Sequence, residues 1–298
     1  VGKFIKHHNI DQQYKTCKTS SIEKDIISYI NDDSIITNDR KLIYPKELDI
    51  VIPKKKLAIE VDGVYWHSYN RPETNEEKKY HLNKTMLCNQ NNYDLLHIYD
   101  VEWKNKKDIW KSIINNKLGL SNRIYARKCT IQELNKNETK KFVDSNHLQG
   151  YTHSSINIGL YHNDELVSVM TFSKSRYNKN VEYELIRFCN KKHLTVIGGA
   201  NKIFRYFISK YEPSSIISYS DIRYSNGNLY KKLGFQYSHR SNPNYKYFDG
   251  NKLYSRVYFQ KHKLKNKLNH YDKTEAENMF NNGYRRLWDC GNDVWVYK

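Results

Sequence analysis

Three carboxylates stand where a cation could be held. Asp49 lies in the apolar run 48–52, and Glu60 and Asp62 lie in and just beyond the run 57–61. The runs are rich in Ile and Val and flank Pro53-Lys54-Lys55-Lys56, which reads as a β-hairpin closed by a four-residue turn. Ile52 then opposes Leu57, and counting back places Asp49 opposite Glu60. Opposed residues share a face of the ladder, with Cβ atoms about 5 Å apart. Asp62, two residues beyond Glu60, points to the same face. Like charges so placed destabilise a ladder, and a divalent cation bound by oxygen would remove that cost. The plainer alternative is that Lys54, Lys55 and Lys56 pair with these carboxylates at the surface. Two further groups could serve the same chemistry. His67 could activate water or protonate a leaving oxygen, or could simply be a hydrogen-bonded histidine beside Trp66. Lys84 could stabilise charge on an attacked phosphate, or belong to a solvated basic helix face shared with His81.

The elements that must position these groups follow from capping and periodicity. Ser20 with Glu23 three residues later fits a capping box, and Ile22, Ile26, Ile27 and Ile30 form one stripe of the helix it opens. Residues 68–78 are polar and read as a loop. Residues 78–91 read as a helix with Leu82, Met86 and Leu87 inward. Residues 93–99 read as a core strand. Residues 108–117 read as a closing helix, with Gly119 as its stop. The order helix, hairpin, helix, strand, helix makes an α/β unit.

Taken together, an Asp, a hairpin turn and then Glu60-Val61-Asp62 resemble the PD-(D/E)XK nuclease core. Gly63-Val64-Tyr65-Trp66-His67 is similar to the Gly-Cys-Phe-Trp-His stretch of very-short-patch repair endonucleases. The segment running on through His81-Leu82-Asn83-Lys84-Thr85 and 97–103 resembles phage-encoded homing endonucleases related to that repair family. The resemblance implies a restriction-endonuclease-like fold over residues 20–120 and metal-dependent DNA hydrolysis. It implies Mg2+ or Mn2+ on Asp49, Glu60 and Asp62, and a catalytic set of Glu23, Asp49, Glu60, Asp62, His67 and Lys84. Glu23 would hold or orient the metal-bound water. One departure is that Asp62 stands where the nuclease motif has Lys, which leaves the water-activating group open.

Composition narrows the partners. The chain has 298 residues, with Lys plus Arg 50 against Asp plus Glu 32, a net charge of +18. That balance favours a polyanion, with nucleic acid ahead of an anionic membrane. No apolar run approaches the roughly 18 residues needed to span a bilayer, and no signal peptide is visible. The five cysteines (17, 88, 129, 189 and 290) form no Cys-x-x-Cys pair. Neither a disulfide framework nor a structural zinc site is supported, in keeping with a cytoplasmic location, that of the host if phage-encoded. The chain begins at Val1, so a preceding portion is expected to be missing or processed. Residues 1–19 read as a basic arm.

A second α/β domain is expected over residues 121–298. Helix 136–146 leads to a hairpin of 156–162 and 166–172 turning at Asn163-Asp164, then strands at 183–189 and 216–220. Between them, Gly198-Gly199-Ala200 opens an amphipathic helix carrying Ile203, Phe204, Phe207 and Ile208. Glycines opening a helix after a strand can cradle a phosphate, although close packing explains them equally well. The arrangement resembles the GNAT-type acyltransferase fold: Gly198-Gly199-Ala200 resembles its pyrophosphate loop, and 228–235 resembles its late helix. Thr195 replaces the usual Gln or Arg, which puts coenzyme A binding in doubt. Ser218-Tyr219-Ser220-Asp221, followed by Asn228 and Tyr230, is similar to phage DNA-modifying proteins of this fold. Residues 239–273 interleave base with aromatics, and Arg240, Lys246, Arg256, Lys261, Lys263 and Lys265 join Lys54 and Lys55 as candidate DNA contacts. The tail 284–297 alternates like a terminal hairpin turning at Gly291-Asn292.

The expectation is thus a metal-dependent DNA endonuclease fused to a GNAT-like DNA-binding domain. The alternatives are a GNAT-like DNA-modifying transferase targeted by its nuclease-fold half, and a non-catalytic DNA-binding protein.

Overall fold

A computed structural model describes residues 19–64, 74–264 and 273–298. The elements run α1 (Ser21–Ile30), β1 (Ile36–Asp39), β2 (Leu48–Ile52), β3 (Leu57–Asp62), α2 (Tyr80–Gln90), β4 (Asp94–Tyr99) and α3 (Asp100–Leu118). They continue with β5 (Asn122–Tyr125), β6 (Thr130–Glu133), α4 (Lys136–Asn146), β7 (Ile156–His162), β8 (Glu165–Lys174), β9 (Tyr183–Asn190) and β10 (Leu194–Ile197). Last come α5 (Gly199–Tyr211), β11 (Ile216–Asp221), α6 (Asn228–Lys232), β12 (Gln236–Arg240), β13 (Tyr245–Phe248), β14 (Leu253–Ser255), α7 (Glu275–Asn281), β15 (Arg285–Trp288) and β16 (Asn292–Tyr297). The protein is mixed α/β.

The first sheet has the order β1-β2-β3-β4. Its centre is the β2–β3 hairpin, closed by Pro53–Lys55 and a left-handed Lys56, with Ile52 paired to Leu57 and Ile50 to Ile59. β4 joins β3 in parallel, placing His97 beside Glu60 and Tyr99 beside Asp62. Strands buried on both faces read as continuous apolar runs, and Ile50, Ile52, Leu57, Ile59, Leu96 and Ile98 supply one core with Ile26 of α1 and Trp110 and Ile114 of α3. The Ser20–Glu23 capping box forms. Helix α3 begins earlier than its apolar periodicity suggested, at Asp100, because a kink at Lys106 joins a short polar turn to the amphipathic segment, which Gly119 ends.

The large sheet has the order β12-β16-β11-β9-β8-β7-β6. Helix α5 covers it with Ile203, Phe204 and Phe207, and Phe207 stacks on Phe172 at 3.7 Å between ring centroids. Two expectations are corrected here. Residues 120–129, whose composition reads as a connector into the second domain, contain β5, which pairs in parallel with β10. The tail is not a hairpin: β15 joins β13 in a small sheet, whereas β16 inserts between β11 and β12. Alternation marks strands but does not choose their partners.

The chain must turn tightly before α6, and Gly227 does so at φ 72° with Trp295 packed over it. A Cβ at Gly227 would lie 2.2 Å from the Trp295 ring. Gly227→Ala is expected to cost about 2–3 kcal/mol through a strained φ and a displaced indole, read as a lower denaturant midpoint at unchanged slope. A midpoint equal to wild type would show that the turn relaxes freely.

Candidate functional site

The hairpin register that opposes Ile50 to Ile59 sets Asp49 opposite Glu60. The carboxylates nevertheless take different partners. Asp49 Oδ2 accepts a hydrogen bond from the Val61 N–H at 2.7 Å. Burial, then the charges of Glu60 and Glu23, push the Asp49 pKa up to about 8. Glu60, 6 % exposed, meets the ammonium of Lys84, itself 2 % exposed, in a buried ion pair. Burial opposes the charge on Lys84, but Glu60 holds its pKa above the ordinary lysine value. A cation therefore does stand beside the hairpin carboxylates, delivered by helix α2 where the hairpin itself carries Asp62.

Asp62 is fully buried between two imidazoles. Its Oδ2 lies 3.0 Å from His97 Nδ1, and its Oδ1 lies 3.2 Å from His81 Nδ1. Burial opposes the Asp62 charge, but His81 and His97 hold its pKa well below the usual carboxylate range. Burial also pushes the His81 pKa down. The two rings meet edge to face at 5.2 Å. Among the described residues, the carboxylate and histidine atoms that gather closely enough to share a metal ion are those of Asp62, His81 and His97. Asp49 and Glu60, expected as ligands with Asp62, are not in that group. Glu23 is buried beside them and engaged in its capping box. His67 and Lys265 lie outside the described residues, as do the side chains of Lys261 and Lys263. The place of His97 against Asp62 was not anticipated from the sequence. The available signal was a histidine inside the apolar run Leu95-Leu96-His97-Ile98.

The expected DNA contacts divide in two. Lys54 and Lys55 are exposed on the hairpin turn. Arg240, Lys246 and Arg256 each face an acidic partner: Asp293 at 2.8 Å, Glu102 at 3.3 Å and Glu275 at 3.1 Å.

A second polar centre forms in the large sheet. Strands β9 and β11 are parallel neighbours, yet they pair only through Ile216–Tyr183 and Ile217–Glu184 and then part. At the fork, the Ser218 hydroxyl donates to Leu185 O at 2.9 Å and lies 3.1 Å from the Tyr230 hydroxyl. Beyond it, Arg187 donates to Gly150 O at 2.9 Å and Thr152 Oγ1 at 3.1 Å, fixing the loop after α4 over the opening. From that loop, Gln149 reaches Asp221 Oδ2 at 3.2 Å. Burial raises the Tyr230 pKa, so its hydroxyl keeps its proton. Burial first, then Arg187 and Lys106, push His147 down to about 3, so that imidazole is neutral. A cleft of about 290 Å³ runs between α3 and the far end of β9, lined by Ser112, Asn116, His147, Phe188 and Tyr224 among others, and Ser218 and Tyr230 of the fork do not line it. Sequence reasoning missed Arg187 and Gln149, whose roles arise only when the loop folds over the sheet.

No protein-family model matches the chain, and no curated protein matches it. Among solved structures, it is similar to a Bacillus subtilis acetyltransferase in complex with CoA, at 17 % identity and TM-score 0.33, over 57 % of this chain and 99 % of that one. It is similar to a GNAT-family acetyltransferase from Bacillus cereus at 9 % identity and TM-score 0.31, over 57 % and 96 % of the two chains. It is also similar to aminoglycoside 6'-acetyltransferase type Ii at 11 % identity and TM-score 0.31, again over 57 % and 96 %. The likeness is one of fold over part of the chain. These neighbours are acetyltransferases, which are transferases and not phosphodiester hydrolases, so the expected DNA hydrolase class finds no counterpart among them. Among the described residues, no helix is long and apolar enough to cross a membrane.

Proposed function

We propose that the chain is a group transferase directed to nucleic acid, with its transfer site where β9 and β11 part. The observation that carries this reading is the fork itself, with Ser218 and Tyr230 at its base. Parallel strands that stop pairing expose backbone donors and acceptors, which a ligand can satisfy in place of the missing strand. In the proposed step, an amine of the acceptor attacks the activated carbonyl of a small donor. The new C–N bond forms, the bond from carbonyl to carrier breaks, and the departing carrier takes the Tyr230 phenolic proton. The acceptor nitrogen releases its own proton to solvent, and solvent reprotonates the tyrosine. A phenol kept protonated by burial suits that role. The acceptor class follows from the net charge of +18, which draws a polyanion, and the exposed Lys54 and Lys55 offer phosphate contacts.

The test is incubation of the full chain with duplex and single-stranded DNA and acetyl-coenzyme A, followed by nucleoside mass spectrometry. The expected result is an acetylated nucleoside whose rate of formation falls about 100-fold in Tyr230→Phe. Unmodified nucleosides on DNA that the protein demonstrably binds would sink the acetyl-transfer form of the reading.

One observation favours a second reading, a DNA-binding protein without transfer chemistry. Helix α3 already bonds the segment that leads to Gly198 and Gly199: Ser112 Oγ accepts from the His193 N–H at 2.8 Å, and Asn116 donates to Thr195 Oγ1 at 3.0 Å. That helix lies along the mouth a carrier would enter. DNA binding with no modification in the same assay is the result this reading expects.

A further inference from the structure

We infer that Asp62, His81 and His97 form a buried site for one divalent transition-metal ion of the zinc class. The three ligands come from three elements, β3, α2 and β4, and the core around them fixes each position. Their ligand atoms all lie within 4.8 Å of one another. Asp62 meets the two imidazole nitrogens through different oxygens, Oδ2 at 3.0 Å from His97 and Oδ1 at 3.2 Å from His81, each separation near the roughly 3.4 Å edge of a tetrahedron with metal–ligand bonds of about 2.1 Å. One carboxylate with two imidazoles suits zinc, cobalt, manganese or iron. Magnesium prefers an all-oxygen shell with several waters.

The surrounding hydrogen bonds point the same way. The Thr85 hydroxyl donates to His81 O at 3.1 Å, and its oxygen lies 2.9 Å from His97 Nε2. With the single hydroxyl proton given to His81 O, Thr85 accepts from a protonated Nε2. That tautomer leaves the Nδ1 lone pair of neutral His97 directed toward Asp62, where two lone pairs would repel. A cation resolves the conflict. It is either a second proton on His97 or a metal ion shared by Nδ1 and the carboxylate. Metal-bound histidines commonly donate their other N–H to a fixed acceptor in this way, and His81 brings a second imidazole nitrogen to the same carboxylate, which protonation of His97 alone does not require. A three-ligand set leaves one coordination position for water or another group. The inference does not depend on the transferase reading, and its test does not use activity.

The full chain is stripped with chelator, dialysed free of it, and titrated with Co2+ while visible absorption is recorded. The expected result is one equivalent bound, with the d–d bands of a low-coordinate ion, displaced by Zn2+. In Asp62→Asn and His81→Gln, each checked for folding by circular dichroism, the affinity is expected to fall at least 100-fold. Wild type that takes up no Co2+ would overturn the inference and leave a protonated His97 as the cation. Folded variants that bind as tightly as wild type would equally overturn it, because the ion would then sit elsewhere. If both variants fail to fold, X-ray absorption at the zinc edge of the loaded wild type decides. A shell with two imidazoles and oxygen supports the site, and a shell without imidazole overturns it.

Discussion

Arg223→Met is expected to destabilise the protein by about 3–5 kcal/mol, the range for removing one partner of a buried ion pair. Arg223 follows β11 and is 1 % exposed. Its guanidinium donates to Glu102 Oε2 at 2.9 Å and to Asp221 Oδ2 at 3.3 Å, and lies 4.3 Å from the centre of the Tyr99 ring. Its carbonyl accepts the His97 N–H at 2.9 Å. One residue just past a strand of the large sheet thus binds both β4 and α3 of the first unit. Methionine fills similar volume, so most of the loss would come from carboxylates left without their cation. Lys246, 3.3 Å from Glu102, would recover part of it. Adding Glu102→Gln and Asp221→Asn should return most of the stability, because neutral amides need no counter-charge. Urea unfolding of the two variants checks both statements. A loss below about 1 kcal/mol for Arg223→Met would mean that the guanidinium only balances its own burial cost.

Lys84→Met is expected to cost a similar 3–5 kcal/mol at neutral pH by stranding Glu60. The pH dependence separates this cause from lost packing. Without Lys84, burial alone acts on Glu60 and raises its folded pKa further above the unfolded value. A carboxyl raised in this way is fully accommodated below its unfolded pKa, and stability drains away as pH rises toward the folded pKa. The deficit of Lys84→Met should therefore shrink toward pH 4 and widen toward pH 8. The double variant Lys84→Met with Glu60→Leu removes the stranded charge and should lie within about 1–2 kcal/mol of wild type, with the pH trend abolished. A deficit that does not vary with pH would place the loss in packing. The same pair governs the chemistry open to the hairpin, since Glu60 held by an ammonium is a poorer cation ligand than the carboxylate opposition alone suggested.

Much of the local structure was legible in the residues. The Ile/Val runs around Pro53 give the β2–β3 hairpin and its register because period-two alternation and a four-residue turn leave one pairing that buries the apolar faces. Ser20 and Glu23 mark the start of α1, and Gly119 ends α3, because backbone groups at helix ends need these partners or conformations. The predominance of Lys and Arg sets the net charge of +18 by composition alone. Long-range placement was not legible. The strands β15 and β16 carry similar alternation, yet β15 pairs with β13 in the small sheet and β16 lies between β11 and β12 in the large one. The three carboxylates were expected to share one ion, yet Lys84 from α2 takes Glu60, a backbone N–H takes Asp49, and histidines from α2 and β4 enclose Asp62. Those partners lie up to 35 residues away from the carboxylates in the chain. Sequence fixes which side chains carry charge. Packing decides which opposite charge each one meets, because a buried carboxylate takes whichever cation or donor the surrounding helices and strands bring within bonding distance.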